Sequence, residues 1–391
     1  MKKRSRTVVV ILKTVERCNL NCTYCYFFNG GDLSFKKHPP FISEKTISEL
    51  TDFLIKGIKD YEIDRISIIF HGGEPTLQPI RQFESMCQYF RNEFSQYAVD
   101  LELGIQTNGT LINDRWIDVF SKYRVSVGVS LDGPKQYNDV YRIDHKGNGS
   151  YDLVEKGIRL LHKAVSEGKI SQIGALCVIN VENDPKTIYR HFVDNLNLKR
   201  MDFLLPDFTH DDFKGNAESY GDYLCQVFEE WVNDNNPEIT VRILESIMRI
   251  LVGRNSTLTS VGPDSESTDL YAFTVSSNGE LSPDDTLRGA DCGNLMQISR
   301  VSDTYLKDFM QFSIFHELKK SKEILPQQCT NCCWQKICRG GSYIHRYSKK
   351  TRFNNPSIMC EGLRMIYTKI ASFLLESGYP RDALERTLFG I

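Results

Sequence analysis

Short apolar segments rich in β-branched residues alternate with amphipathic segments through the first half of this chain. Parallel strands need a long crossover connection, usually a helix, so the alternation predicts a parallel sheet built from strand–helix units. Strands are predicted over residues 8–13, 66–70, 101–106, 124–130, 172–179 and 201–205. Helices are predicted between them over residues 43–59, 79–95, 151–166 and 185–195.

Polar or glycine-rich clusters follow nearly every predicted strand at its C-terminal end. Barrels and doubly wound α/β folds place their chemistry at this end, so the sheet is predicted to support one site. The pattern changes after residue 235: predicted helices at 220–234 and 241–252 lead into a Ser-, Thr-, Asp- and Gly-rich connection at 253–270. We therefore predict two domains, 1–235 and 236–391.

Three cysteines, Cys18, Cys22 and Cys25, follow the first predicted strand with CxxxCxxC spacing. A cubane 4Fe-4S cluster takes four ligands, so three thiolates leave one iron open to a further ligand. Three reduced thiols or a zinc knuckle is the alternative, but zinc sites usually close with a nearby fourth Cys or His, and none follows here. The spacing therefore favours a cluster with a reactive iron.

A second group of cysteines lies near the C-terminus, at Cys329, Cys332, Cys338 and Cys360. Four thiolates at this spacing can close a shell around one 4Fe-4S cluster, and a Cys-only zinc site is the alternative. Three further cysteines fall within helix or strand patterns and are expected to be buried apolar side chains: Cys87, Cys177 and Cys225.

Composition limits the partners and the compartment. The net charge of −2 lacks the basic excess of a nucleic-acid-binding surface, and no apolar stretch is long enough to span a membrane, so we expect neither partner. The chain has twelve cysteines and no secretory signal. This combination predicts a reducing cytoplasm and metal-bound thiolates rather than a disulfide framework.

Gly72, Gly73 and Glu74 follow the second predicted strand. Two glycines allow the backbone to approach a ligand closely, and a carboxylate beside them can accept hydrogen bonds from an ammonium group. A Gly-Gly pair alone is more often a turn than a site. Its place one strand after the CxxxCxxC loop favours ligand binding.

These motifs, with Gly340-Gly341 after Cys338, resemble those of radical S-adenosylmethionine (SAM) peptide maturases that carry a SPASM extension. The resemblance implies an α/β fold, a partial (β/α)6 TIM barrel of radical SAM type with a C-terminal cysteine-rich SPASM-like extension. It implies a SAM-binding 4Fe-4S cluster at Cys18, Cys22 and Cys25 and one auxiliary 4Fe-4S cluster at the C-terminal cysteines. It also implies an electron donor such as flavodoxin or ferredoxin.

The same resemblance assigns SAM contacts. The Gly-Gly-Glu motif would contact the amino group of SAM, and Arg142 would pair with its carboxylate, a task that suits a planar guanidinium. Asn-Gly and Asp-Gly pairs also form turns anywhere, and an exposed loop arginine is common, so these alternatives stay open. The residues assigned to SAM are Tyr24, Gly72, Gly73, Glu74, Asn108, Ser130, Asp132 and Arg142.

The chain departs from the full SPASM pattern, which holds two auxiliary clusters. Ser342 and Asp284 stand where the resemblance expects cysteines, and a third cysteine is missing upstream of Gly279. The ligands of the first auxiliary cluster are therefore expected to be absent. Nearby substitutes that do not follow the pattern are Cys292, Cys333 and His345.

Three residues are candidates for proton transfer. Asp207 and His210 follow the sixth predicted strand and could move protons on a peptide, although a solvated acidic loop is the simpler interpretation. Asp285 is a candidate base because sulfatase-maturing relatives use an aspartate directly after the position of Asp284.

We interpret the chain as an enzyme that crosslinks aromatic side chains of a ribosomal precursor peptide into cyclophanes or ethers, as maturases of the darobactin type do. Three features favour this class: the smaller number of SPASM cysteines, the Leu204-Leu205-Pro206-Asp207 loop, and the C-terminal segment that contains Asn354-Asn355-Pro356-Ser357. An anaerobic sulfatase-maturing enzyme, which oxidises Cys or Ser to formylglycine, is the alternative. A non-catalytic zinc-ribbon adaptor is an alternative from another class.

Overall fold

The computed structural model describes residues 5–256, 258, 268–296 and 298–390. These residues form two compact units. The first takes the described residues of Met1–Ala175 and Glu266–Phe315, and the second takes those of Leu176–Ser265 and His316–Ile391. Each unit thus combines two separate segments of the chain. The domain boundary at residue 235 stays a prediction.

The strands are β1 Ser5–Val15, β2 Arg65–Gly72, β3 Asp100–Thr107, β4 Val125–Ser130, β5 Gly174–Val178, β6 Arg200–Leu204, β7 Thr240–Val241, β8 Thr268–Val275, β9 Glu280–Ser282 and β10 Ser299–Arg300. In the first unit the strand order is β10-β9-β8-β1-β2-β3-β4. β1 pairs in parallel with both β2 and β8, and β9 and β10 extend the sheet in antiparallel fashion. In the second unit β7 pairs in parallel with β6.

The α-helices are α1 Tyr26–Asn29, α2 Glu44–Tyr61, α3 Ile80–Phe94, α4 Asp114–Tyr123, α5 Lys135–Tyr141, α6 Tyr151–Ser166, α7 Pro185–Arg190, α8 Ala217–Asp234, α9 Arg242–Leu251, α10 Leu306–Phe309, α11 Ser313–Glu323, α12 Gln335–Cys338, α13 Tyr343–Arg346, α14 Cys360–Glu376 and α15 Arg381–Phe389. Side chains cap the starts of α2 and α4. The Ser43 side chain accepts from the Thr46 N–H before α2, and the Asn113 side chain caps α4.

The six predicted strands correspond to β1–β6, and the α/β fold with a mostly parallel sheet is confirmed. The central strands bury alternate apolar side chains, among them Val8, Val10 and Leu12 on β1, as the two-residue period of a strand requires. β8 was not predicted. Of the connection predicted at 253–270, residues 257 and 259–267 lie outside the described residues, and β8 already begins at Thr268.

No helix in the described part of the chain is both long and apolar enough to cross a membrane.

In the second unit α8 and α14 approach closely at two glycines. A Cβ at Gly362 would lie 2.2 Å from the Ala217 carbonyl oxygen and 2.9 Å from the Gly221 nitrogen. Both are backbone atoms, so a side chain at Gly362 could be accommodated only if the helices moved apart. Glycine at this position therefore sets the distance between α8 and α14.

We expect Gly362→Ala to destabilise the protein by about 2–3 kcal/mol, because overpacking a close helix contact costs energy of this order. The measurement is the thermal unfolding midpoint under anaerobic conditions. Ser372→Ala, at an exposed position of α14, is the control and should leave the midpoint almost unchanged. Equal midpoints for the Gly362 variant and the control would contradict the proposed contact.

Candidate active site

The CxxxCxxC loop begins just after β1 and ends where α1 starts. The Leu20 N–H donates to Cys18 Sγ at 3.3 Å, and the Cys25 N–H donates to the Cys22 carbonyl at 3.0 Å. Burial, with smaller contributions from Glu74 and the other two thiols, raises the pKa of Cys18 to about 12. The three thiols therefore lie close enough to repel one another as thiolates, and a bound iron cluster would offset that repulsion. The residues present fit such a group.

Glu74 is fully buried beside the loop. Its Oε1 accepts from the Thr76 N–H at 2.9 Å and the Thr107 hydroxyl at 2.6 Å, and its Oε2 accepts from the Asn108 N–H at 2.6 Å. Glu74 thus joins the end of β2 to the end of β3. Because Oε2 accepts one bond, it retains capacity for an ammonium donor.

The glycines before Glu74 bring backbone segments together. Gly72 has φ +130°, a conformation that favours glycine, and a Cβ at Gly73 would lie 2.3 Å from the Arg17 carbonyl oxygen. The close approach is therefore to the chain segment that leads into the cysteine loop. Side chains at either glycine would displace that segment.

Tyr24, Asp132 and Arg142 form one polar group, in which Asp132 and Arg142 are buried and Tyr24 is exposed. Arg142 Nη1 donates to the Tyr24 hydroxyl at 2.7 Å and lies 3.9 Å from Asp132 Oδ2, while the Tyr24 hydroxyl donates to Asp132. Arg142 Nε is buried and makes no hydrogen bond within the described residues. The structure thus brings together three residues that are predicted to contact SAM, and Nε of Arg142 remains available as a hydrogen-bond donor.

Asn108 and Ser130 lie at the ends of neighbouring strands. Asn108 Nδ2 donates to Asn19 Oδ1 at 2.9 Å and lies 3.8 Å from Cys18 Sγ. The Ser130 hydroxyl accepts from Gln106 Nε2 at 2.8 Å. Asn108 therefore contacts the cysteine loop in addition to forming a turn. SAM binding by these residues stays a prediction.

Asp285 lies in a polar cluster that the sequence analysis did not find. Lys13, fully buried on β1, donates to Asp285 Oδ2 at 2.6 Å and contacts the Tyr26 hydroxyl at 3.1 Å and His71 Nδ1 at 3.2 Å. The Tyr26 hydroxyl also donates to Asp285 Oδ2. One signal was available in the sequence: Lys13 is a charged residue within the apolar run of β1.

The charges of this cluster are set by burial and by the ion pair. Burial opposes ionisation of Asp285, but the Lys13 ammonium holds the pKa of that carboxyl well below its usual range. Burial and Lys13 lower the pKa of His71 to about 3, so its ring is neutral. The Gly72 N–H donates to His71 Nδ1 at 2.9 Å, which leaves the ring proton on Nε2.

One oxygen of Asp285 is uncommitted. Oδ1 is buried and accepts no hydrogen bond within the described residues. It forms an ion pair with Arg288 Nε at 3.9 Å, and that nitrogen makes no hydrogen bond there either. Arg288 is held in place by Asp32 and stacks over the Phe27 ring at 4.6 Å. Asp285 thus presents an ionised oxygen whose orientation is fixed by buried neighbours.

The other two proton-transfer candidates lie after β6 in the second unit. His210 donates its backbone N–H to the Tyr347 carbonyl, and its Nε2 contacts the Pro356 carbonyl at 2.8 Å. Its ring thus fixes the position of a loop. Roles of Asp207 and His210 in proton transfer stay predictions.

The four C-terminal cysteines gather in the second unit, and all have free thiols. Burial raises the pKa of Cys360 to about 11, with smaller contributions from the nearby thiols of Cys338 and Cys332. Burial also raises the pKa of Cys329, and the nearby thiols of Cys360 and Cys332 contribute to this increase. The Tyr367 hydroxyl donates to Cys338. Four neighbouring thiols, three of them between Cys329 and Cys338 and the fourth at the start of α14, fit a cluster shell.

No group of three or more His, Cys, Asp and Glu side chains in the described part of the chain is arranged to hold a single metal ion. The assignment of individual cysteines as cluster ligands stays a prediction.

The positions that depart from the SPASM pattern have other contacts. Asp284 accepts from the Thr286 N–H at 3.0 Å and its hydroxyl at 2.9 Å, which caps the helical turn Asp285–Gly293. His345 is buried, and its Nε2 contacts the Pro206 carbonyl at 2.9 Å. Cys333 is exposed, and the side chain of Cys292 lies outside the described residues.

The remaining cysteines were expected to be buried. Cys87 and Cys177 are fully buried, as predicted, whereas Cys225 is only partly buried. Cys225 lies on α8, and its exposure corrects the prediction for that residue.

Comparison with known proteins shows a radical SAM domain in the N-terminal part of the chain. Residues 12–188 match the family model described as Radical SAM superfamily. The chain has a radical SAM domain with a SPASM-like cysteine-rich C-terminal segment, and it is an enzyme that catalyses a radical redox reaction. It uses a 4Fe-4S cluster and SAM. A non-catalytic adaptor is therefore the wrong interpretation.

Relatives extend the similarity over most of the chain. A cysteine-type anaerobic sulfatase-maturating enzyme of Clostridium perfringens (strain 13 / Type A) is 26% identical, over 90% of this chain and 92% of the relative. A serine-type enzyme of Bacteroides thetaiotaomicron is 24% identical, over 95% of this chain and 91% of the relative. The solved structure described as native anSMEcpe with bound AdoMet and Cp18Cys peptide has a TM-score of 0.78, at 22% identity, and is matched over 98% of its length.

These comparisons correct the functional interpretation of the sequence. The prediction of a maturase that crosslinks aromatic side chains, of the darobactin type, is wrong, because the relatives that match nearly the full chain are sulfatase-maturating enzymes. That prediction rests on missing cysteines, one loop and one C-terminal segment. None of these features reports on the substrate.

We expect replacement of Cys18, Cys22 and Cys25 by Ala to abolish conversion of SAM to 5'-deoxyadenosine, because no iron would remain open to SAM. The assay uses anaerobically reconstituted protein with reductant and quantifies 5'-deoxyadenosine by chromatography. Cys333→Ala, which removes an exposed thiol, is the control and should keep the wild-type rate. A triple variant as fast as wild type would show that these cysteines do not hold the cluster.

A separate measurement counts clusters. With one shell at each end and Asp284 and Ser342 in place of thiols, we expect about eight irons per chain from two cubanes. Iron and sulfide analysis of reconstituted protein gives the number. About twelve irons would reveal a third cluster and contradict the expectation.

Proposed function

We propose that this enzyme oxidises a Cys or Ser side chain of a sulfatase peptide to formylglycine. The observation that carries the proposal is similarity over 90–95% of the chain to sulfatase-maturating enzymes of both types. The position of Asp285 supports it, since the resemblance assigns a base to the residue after Asp284. We further infer that the radical reaction proceeds with one auxiliary cluster, and that flavodoxin or ferredoxin supplies the initial electron.

Cys18, Cys22 and Cys25 would hold the cluster, which together with SAM would supply the radical chemistry needed to remove one hydrogen atom from the substrate Cβ. The substrate must then lose one electron and one proton to reach the oxidation state of an aldehyde. For Ser this gives formylglycine directly. For Cys it gives a thioaldehyde, whose hydrolysis releases sulfide.

Asp285 is the residue proposed to take the proton. Loss of the electron leaves the substrate as a protonated carbonyl or thiocarbonyl, which is strongly acidic, so a carboxylate of low pKa suffices as base. Lys13 and Tyr26 occupy Oδ2, which keeps the group ionised and leaves Oδ1 to accept. Lys13 therefore favours the charged form that proton transfer requires.

The remaining residues are proposed to hold SAM in position. Arg142, with Nε uncommitted within the described residues, would pair with the SAM carboxylate. Glu74 Oε2 would accept from its ammonium. Fixed donors and acceptors of this kind orient a cofactor without reorganisation during the reaction.

We expect Asp285→Asn to lower peptide oxidation at least tenfold while SAM cleavage continues, because the amide keeps the size of the side chain but cannot take a proton. The assay incubates the enzyme with two synthetic sulfatase peptides that differ only in carrying Cys or Ser. Mass spectrometry detects exchange of sulfur for oxygen with loss of two hydrogens for Cys, or loss of two hydrogens alone for Ser.

Asp60→Asn, at an exposed position on α2, is the matched control and should oxidise peptide at the wild-type rate. Wild-type oxidation by the Asp285 variant would remove Asp285 from the mechanism. Failure of the wild-type enzyme to convert either peptide, with SAM cleavage intact, would contradict the proposed substrate class.

A further inference from the structure

Two buried cations lie in the second unit beside the C-terminal cysteines. Arg346 is 0% exposed and Lys322 is 8% exposed. Buried cations are costly unless a negative charge compensates for lost hydration. The surroundings of both residues therefore indicate where that negative charge resides.

The hydrogen bonds of Arg346 go to neutral oxygens. Its Nη1 donates to the Ser321 carbonyl at 2.6 Å, and its Nε donates to the Asn355 carbonyl at 3.0 Å. Its Nη2 is buried without a hydrogen-bond partner within the described residues. These bonds fix the guanidinium but do not neutralise it.

The guanidinium lies against the cysteine segment. Its Nη1 is 2.8 Å from the point that a Cβ at Gly340 would occupy, and Gly340 follows Cys338 by two residues. The charge of Arg346 acts on the thiols of Cys329 and Cys338. Arg346 is thus a neighbour of two of the four proposed ligands.

Lys322 approaches the same cysteines through another backbone group. Its Nζ donates to the Gly341 carbonyl at 2.9 Å, and its charge acts on the thiol of Cys338. It also lies over the Tyr343 ring, 5.1 Å from the centroid. Two cations therefore adjoin one thiol cluster.

We propose that Arg346 and Lys322 are positioning residues that raise the reduction potential of an iron–sulfur cluster held by Cys329, Cys332, Cys338 and Cys360. A 4Fe-4S cluster with four thiolates is already anionic, and reduction adds one more negative charge. Fixed cations stabilise the reduced state more than the oxidised state. This proposal rests on the proposed function, because the electron that reduces the cluster is the one that the substrate radical loses when Asp285 takes the proton.

The test measures the potential of the C-terminal cluster alone. The parent is the full-length chain with Cys18, Cys22 and Cys25 replaced by Ala, reconstituted anaerobically and titrated with reductant while electron paramagnetic resonance follows the reduced cluster. The variants in this parent are Arg346→Gln, Arg346→Lys and Lys322→Met. Arg352→Gln is the control, since Glu317 pairs with Arg352 through bonds of 2.6 and 2.7 Å.

We expect Arg346→Gln to lower the midpoint potential by at least 59 mV, a tenfold change in the one-electron equilibrium constant. Lys322→Met should also lower the midpoint potential. Arg346→Lys, which keeps the positive charge, should have a potential close to that of the parent, and Arg352→Gln should leave the potential unchanged. These shifts, at full iron content, separate an electrostatic role from a purely structural one.

Unchanged potentials in Arg346→Gln and Lys322→Met would overturn the proposal, and so would a parent that holds no iron. If the Arg346→Gln variant loses its cluster, the potential of the Lys322→Met variant tests the proposal instead: a lowered potential supports it and an unchanged potential overturns it. No peptide is present, so the outcome is independent of the substrate. A shifted potential with no oxidation of sulfatase peptides by the wild-type enzyme would count against the proposed function alone.

Discussion

The first unit depends on the parallel pairing of β1 with a strand on each side. β2 pairs with one edge of β1, and β8, more than 250 residues later in the chain, pairs with the other. Parallel strands end at the same edge of a sheet, so the segments that follow them meet there. The cysteine loop follows β1 and the Gly-Gly-Glu motif ends β2, so parallel pairing brings these two segments together. Asp285 follows β9, which is antiparallel to β8, and its ion pair with Lys13 of β1 places it beside the end of β1.

Buried ion pairs fix the positions of these segments. Lys13 pairs with Asp285, Arg288 with Asp32, and His38 lies between Glu16 and Glu280 at 2.8 and 3.0 Å. Burial opposes the charge on His38, but hydrogen bonds to the two carboxylates raise its pKa to about 9. Removing one partner of such a pair leaves an uncompensated charge, so each pair specifies one arrangement of the loops.

Local patterns predicted the parts of this site that depend on short stretches of sequence. β1–β6 and the helix α2, predicted over residues 43–59, follow from periodicity. The partners of Asp285 could not be predicted in this way. Lys13 precedes it by 272 residues, and their contact depends on the β1–β8 register, which no local rule supplies. Substrate identity was likewise out of reach, because Leu204-Leu205-Pro206-Asp207 carries no chemistry specific to a peptide.

Asp284 caps a helical segment at a position where the resemblance expects a cysteine. The residue caps the turn that carries Asp285, so a carboxylate in place of a thiolate still orients the proposed base. The proposed proton acceptor, Asp285, therefore keeps its orientation although the residue before it is not the cysteine that the resemblance expects as a ligand of a further cluster. If that cluster is absent, the C-terminal cysteines hold the remaining electron acceptor. A single acceptor would have to take the substrate electron unaided, and the buried cations beside its proposed ligands would favour that reduction.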